Sequence, residues 1–208
     1  MYHSEEFNRS CLWSWEKKVL GKYFQKCKYL LVVGAGGGRE VLELRRLGNS
    51  VDGFECSPSL VKHANNLLKE QGFAPDIRLV SQDECPDSTN VYDGIIVGWA
   101  VYALIYGRKK SISFLKKLRN QTQTGSPILL SFFFYSKGGF RFKIITAIGN
   151  TIRWILRKEL LELGDNLFRS HYIHHFTKER IASDLQEAGF KLIFYSTEEY
   201  GHAIGIAF

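Results

Sequence analysis

With 208 residues, 45% of them hydrophobic and 24% charged, the chain has the size and balance of one globular domain with a substantial core and leaves no comfortable room for a second. Its formal charge of +7 gives a weak preference for an anionic partner, but no compact basic motif of the nucleic-acid-binding kinds is present, so a nucleic acid partner is not expected. Acidic residues near Met1 stand where a secretion signal needs a basic and then an apolar stretch, and the longest apolar run, Pro127 to Tyr135, falls short of the roughly 20 residues that span a bilayer, so the expected location is the cytoplasm.

Taken in chain order, Phe7, Leu12, Trp15, Val19 and Tyr23 recur at spacings near three and four and predict a helix over 5–26. Tyr29 to Val33 is a continuous apolar run ending in glycines, as expected of a strand buried on both faces of a parallel sheet. Arg39 to Leu47 then carries Val41, Leu44 and Leu47 at helical spacing and stops at Gly48. Val51 to Phe54 reads as the next strand. Ser57-Pro58 opens a helix whose stripe of Leu60, Val61, Ala64, Leu67 and Leu68 runs to Gly72.

The alternation continues through a short strand at Ile77 to Val80, a stronger one at Tyr92 to Val97, a basic helix from about Lys109 to Thr122, and a strand at Ile128 to Phe134. Strands that alternate with helices pair in parallel through right-handed crossovers. Phe140 to Leu163 is amphipathic with helical tendency. Thr177 to Ala188 is a capped helix ended by Gly189, and Phe190 to Ser196 and His202 to Ala207 are strands whose short link permits only antiparallel pairing.

The chemistry concentrates behind the first strand. Glycine lets a backbone approach a ligand and adopt unusual torsions, so a glycine turn between strand and helix suits a nucleotide-like cofactor. A dinucleotide fingerprint starting at Gly34 requires glycine at position 39, where the chain has Arg39; what is present is Gly34, Gly36 and Gly38 in a G-x-G-x-G spacing. Glu55 ends the second strand, where an acidic side chain in such folds accepts hydrogen bonds from both ribose hydroxyls; the bland alternative is an exposed strand-end glutamate. The four cysteines, Cys11, Cys27, Cys56 and Cys85, have neither Cys-x-x-Cys nor zinc-ligand spacing and read as reduced thiols.

These residues resemble the class I S-adenosylmethionine (SAM)-dependent methyltransferases over most of the chain, from Trp15 to Phe208. The resemblance is carried by Leu30 to Glu40 as the first motif, Gly53 to Pro58 as the ribose motif, Ser81-Gln82-Asp83 as the adenine-side acid, Tyr92 to Trp99 as the fourth strand, and Phe176 to Phe208 as the closing helix and hairpin. It implies an α/β, Rossmann-like fold with a seven-stranded, mostly parallel sheet and an antiparallel C-terminal hairpin. It also implies SAM as cofactor and methyl transfer to an oxygen or nitrogen of a small-molecule acceptor. RNA or protein acceptors, and a binding protein of the same fold without methyl transfer, are the alternatives.

Residue by residue, the resemblance implies that Gly34, Ala35, Gly36 and Gly38 line the methionine portion and Glu55 holds the ribose. Cys56 would cover one adenine face, and Asp83 would accept the adenine amine with the Glu84 backbone alongside. The Gly98 carbonyl would point toward the methionine amino group. One departure stands out: the family often carries an acid two positions before the first glycine, and this chain has Val32.

For the acceptor, Trp99, Tyr102 and Tyr106 follow the fourth strand on the edge where open α/β sheets bind ligands, although buried packing is the usual fate of any one aromatic. His171 and His175 are the candidate general bases and His174 a candidate acceptor contact, since histidine titrates near neutrality; histidines of an ordinary polar loop are the competing reading. No nearby carboxylate or cysteine completes a metal set, so no metal is expected. The segment of about 137–169 is apolar and basic at once and reads as a lid over a hydrophobic or anionic acceptor. A membrane-surface helix shares that composition and is not favoured.

Overall fold

The computed structural model describes residues 4–135, 162, 164–168 and 171–208, without the side chains of Leu167, Phe168 and His171. The lid-like segment expected over 137–169, including its helical stretch from Phe140, lies largely outside the described residues.

Strand β1 (Tyr29–Val33) pairs in parallel with β2 (Ser50–Glu55) on one side and β4 (Gly94–Val97) on the other; β3 (Arg78–Leu79) extends the sheet beyond β2, and β5 (Pro127–Phe134) beyond β4. β9 (Gly201–Ala207) runs antiparallel against β5 and is paired in turn by β8 (Phe190–Ser196). All seven strands expected from the sequence are thus present, with the C-terminal hairpin inside the sheet.

Burial on both faces of β1 explains its unbroken apolar run. Leu30 and Val32 enter one core with Val19 and Leu20 of α2 (Ser14–Tyr23), Val41 and Leu44 of α3 (Arg39–Arg46), and Ala64 and Leu68 of α4 (Pro58–Glu70). Leu31 and Val33 enter the other with Ala103 of α5 (Val101–Leu104), Leu115 of α6 (Arg108–Arg119) and Leu185 of α7 (Lys178–Glu187). Helices therefore cover both faces of the sheet. Each such aliphatic side chain contributes about 1.5–3 kcal/mol on leaving water.

Two expectations need correction. The single helix over 5–26 is two: α1 (Glu5–Arg9) stops where the Ser10 hydroxyl donates to the Phe7 carbonyl at 2.6 Å, and α2 restarts where the Glu16 carboxylate accepts the Trp13 N–H at 2.7 Å. A helix-interior serine competing for the preceding turn, with a carboxylate three residues after Trp13, is a stop and start signal that apolar spacing alone conceals.

The second concerns the competing reading of the histidine stretch as an ordinary polar loop, which it is not. β6 (Asp165–Phe168) and β7 (His171–Phe176) form an antiparallel ribbon, and β7 continues the sheet by parallel pairing with the end of β5, Phe133 opposite His175 and Phe134 opposite Phe176. β5 is long enough to fork: Pro127 to Phe132 pair with β9, and the last two residues pair with β7.

α5 is a further helix without a sequence expectation, and it carries Tyr102 into the core. The Tyr102 hydroxyl, fully buried, donates to Asp184 at 3.1 Å, and the same carboxylate accepts from Arg108 at 3.0 Å and Arg180 at 2.8 Å, which locks α5 and α6 onto α7. Because Asp184 keeps both guanidinium partners without the phenol, Tyr102→Phe is expected to cost only about 1 kcal/mol. Urea denaturation should show that loss, with cofactor affinity unchanged.

Candidate functional site

Five glycine-turn residues bridge β1 and α3, and backbone hydrogen bonds fix their shape. The Gly34 and Ala35 N–H groups both donate to the Phe54 carbonyl, at 2.8 and 2.9 Å, which seats the turn on the end of β2. Gly34, Gly36 and Gly38 have φ of 77°, 54° and 94°, the left-handed region in which a side chain is strained. The Gly36 N–H donates to Glu55 at 2.8 Å, and the other oxygen of that carboxylate accepts from the Ser57 N–H at 2.9 Å.

A cavity of about 240 Å³ opens at this carboxyl-terminal edge of the parallel strands, where ligands of open α/β sheets bind. Gly34, Gly36, Glu55, Cys56, Asp83, Glu84 and Trp99, among the residues expected at the cofactor and acceptor sites, line it, together with Gly37. Glu55 is buried, yet an ionised carboxylate offers about four acceptor positions, of which the Gly36 and Ser57 N–H groups take one on each oxygen and the Cys56 thiol donates to a third from 3.5 Å. One position on the Gly36-bonded oxygen is open and the other is held only by that long thiol contact, which a vicinal diol can replace. Leu60, Val80, Ile105 and Phe114 give the cavity apolar walls, and Asp83, at φ 60°, lines it with them. Burial pushes the Asp83 carboxyl above its ordinary range while Lys110 draws it back; burial and the adjacent Glu55 push the Cys56 thiol up, so it is protonated near neutrality. The residues present therefore fit an adenosine: a diol acceptor, an apolar slot and a carboxyl at the slot's edge.

Other expected residues sit elsewhere. Ala35 is buried in the core beneath the turn, and Gly38 caps α3 against α4, where an added Cβ would lie 3.1 Å from that of Ala64. Gly98 lies behind Gly34, and its carbonyl accepts from the Val101 N–H and the Ser131 hydroxyl, both at 3.1 Å, so it is already engaged. The Glu84 N–H is likewise spent on Ser81, at 3.2 Å. These backbone groups hold the turns in shape, although Glu84 itself lines the cavity. Tyr102, expected at the acceptor, is instead the buried partner of Asp184.

The three histidines are separated. His174 is buried, with Nδ1 2.6 Å from Asp165 and its ring edge-on to Phe176, facing the core. Although burial would raise the Asp165 carboxyl, hydrogen bonds with His174 and Tyr172 hold it below its ordinary range, so this pair is structural. His175 packs against Phe133 at 5.9 Å, and Phe133 touches Trp99 at 6.4 Å. His171 begins β7, its side chain outside the described residues. Among the described residues no three His, Cys, Asp or Glu side chains gather as a metal ion would require, and no helix is long and apolar enough to cross a membrane.

Sequence reasoning missed two parts of the site. α1 covers the cavity through Phe7 and Asn8 and is held by Arg9 on Glu70 at 2.7 Å. Nothing local marks that docking, because its partner lies 61 residues away. The second is an open aromatic cavity of about 770 Å³ lined by Trp13, Trp15, Trp99 and Tyr200. Trp99 stands in the walls of both cavities, edge-on to Trp13 at 5.5 Å and beside Tyr200 at 5.2 Å.

No family model and no curated protein matches the sequence. Solved structures match over nearly the whole chain. A SAM-dependent methyltransferase from Methanosarcina mazei superposes with a TM-score of 0.70 at 17% identity, covering 95% of this chain and 99% of its own. The chain has the class I methyltransferase fold. A SAM-bound amino pentose methyltransferase from Micromonospora echinaspora shares the methyltransferase fold at a TM-score of 0.69 and 13% identity, over 100% of this chain and 96% of that one. Magnesium protoporphyrin IX methyltransferase from Synechocystis PCC 6803, with bound S-adenosylhomocysteine, does so at 0.57 and 17% identity, over 86% and 74%. The β6–β7 ribbon stands beyond the seven strands expected from the sequence.

Proposed function

We propose that the protein is a SAM-dependent methyltransferase that transfers the methyl group to an oxygen or nitrogen of a small-molecule acceptor. The observation that carries this reading is Glu55, a buried carboxylate on the wall of a cavity bounded by the glycine turn, with one acceptor position open and another held only by the Cys56 thiol at 3.5 Å. The similar amino pentose and porphyrin methyltransferases are named for small acceptors, in agreement with it.

Bound SAM supplies a methyl group on a sulfonium sulfur, already a good electrophile. With SAM bound, Glu55 would accept the ribose hydroxyls, Asp83 would accept the adenine amine, and Leu60, Val80 and Phe114 would shield the base from water. Trp99, common to both cavities, would hold the acceptor against the aromatic wall of Trp13, Trp15 and Tyr200, beside the cofactor cavity. Such orientation supplies about 7–11 kcal/mol of barrier reduction. Where the attacking atom is protonated, His175 or His171 would take its proton, a role to which an imidazole nitrogen is suited.

The test is product formation: incubation with SAM and a panel of phenols, catechols and amino sugars, followed by mass spectrometry for S-adenosylhomocysteine and methylated acceptor. Binding of the cofactor with no product from any acceptor class would leave a binding protein of this fold. In the active case, His175→Ala is expected to lower kcat by about 10²–10⁴-fold while leaving S-adenosylhomocysteine affinity unchanged. Equal kcat in the variant would remove His175 from the reaction.

A further inference from the structure

The cavity has a second polar end, and it is charged. Arg39, buried at 1% exposure, reaches Glu16 at 2.6 and 2.8 Å and Glu40 at 2.6 Å, with its guanidinium roofed by Trp13 at 4.5 Å and Phe7 at 5.5 Å. Arg39 and Glu40 both line the cavity. Among the described residues neither carboxylate pairs with any other cation, so one guanidinium serves two carboxylates. With both ionised the cluster holds one net negative charge away from water, and an uncompensated buried charge is costly. Burial accordingly pushes the Glu40 carboxyl above its ordinary range, against the pull of Arg39.

We propose that Glu40 is the anchor for the α-ammonium group of the cofactor's amino-acid end, taking over the charge that position 32 lacks. Val32 is fully buried in the core and is not among the residues that line the cavity. Glu40 stands in the first turn of α3, immediately after the glycine turn, while Glu55 is fixed to the middle of that turn through Gly36. Ribose on Glu55 therefore places the amino-acid end of an adenosyl ligand along the glycines toward Glu40. A cationic ammonium there neutralises the surplus charge of the cluster. Arg39 and Glu16 act through Glu40, fixing its carboxylate.

This inference rests on the proposed cofactor, and the experiment separates the two. Isothermal titration compares S-adenosylhomocysteine with 5′-methylthioadenosine, which keeps the adenosine and the thioether but has no ammonium or carboxylate. The unmodified protein is expected to bind both. Glu40→Gln is expected to weaken S-adenosylhomocysteine by about tenfold or more and leave 5′-methylthioadenosine unchanged. Should Glu40→Gln fail to fold, Glu40→Asp keeps the charge but retracts it by one methylene, and the same selective loss is expected. Loss of both ligands to the same extent in a folded variant, or of neither, overturns the assignment of Glu40 while the cofactor reading stands. If the unmodified protein binds neither nucleoside, both readings fall.

Discussion

Replacing Glu55 with alanine is expected to remove measurable S-adenosylhomocysteine binding. The variant loses two hydrogen bonds from the ribose to a charged group, each worth about 1.5–3 kcal/mol, or on the order of 10²–10⁴-fold in Kd together. It also leaves the Gly36 and Ser57 N–H groups without the acceptor that shapes the turn. Glu55→Gln separates these effects: its amide retains one oxygen acceptor and the side-chain volume, so an intermediate loss is expected with a near-native melting temperature. Titration of both variants beside the unmodified protein, with circular dichroism to confirm folding, decides the matter. Unchanged affinity in a folded Glu55→Ala variant would place the ribose elsewhere.

Gly98→Ala is expected to have the largest effect on stability. An added Cβ would sit 2.2 Å from the Gly34 carbonyl oxygen and 3.1 Å from its carbon, and the obstacle is backbone rather than a flexible side-chain tip. The ends of β1 and β4 would have to part, displacing the glycine turn. Overpacking usually costs about 1–3 kcal/mol, and a backbone obstacle belongs at or above the upper end. Gly48→Ala supplies the contrast. Its φ of 88° disfavours alanine, yet nothing lies within 4 Å of the new atom, so only the torsional cost of about 1–2 kcal/mol is expected. In urea denaturation Gly98→Ala should lose more stability than Gly48→Ala, and it alone should lose cofactor affinity. Equal losses in the two variants would mean that the contact between the strand ends is not a tight one.

The sheet was legible because each of its signals is local. Tyr29 to Val33 is apolar throughout since Leu30 and Val32 face one core and Leu31 and Val33 the other. Ser57-Pro58 and the glycines at 34, 36 and 38 mark boundaries by their own torsional preferences. Glu55 was legible for the same reason, as an acid at the tip of a strand beside that turn. What escaped the sequence depends on partners distant along the chain. Tyr102 reads like Trp99, a neighbouring aromatic after β4, and only Asp184, 82 residues on, draws it into the core. His174 and His175 are adjacent, yet strand alternation sends one to Asp165 and the other to Phe133, a separation that a loop reading could not produce. Arg39 served in the sequence only to exclude a dinucleotide fingerprint, and its ion cluster needs Glu16, 23 residues earlier.

Isothermal titration of the purified protein with S-adenosylhomocysteine and, separately, with NADH tests the central claim most directly. Saturable one-to-one binding of S-adenosylhomocysteine, displaced by SAM and absent for NADH, is the predicted result. No heat with either methyl-cycle nucleoside, or tight binding of NADH in their place, would contradict it.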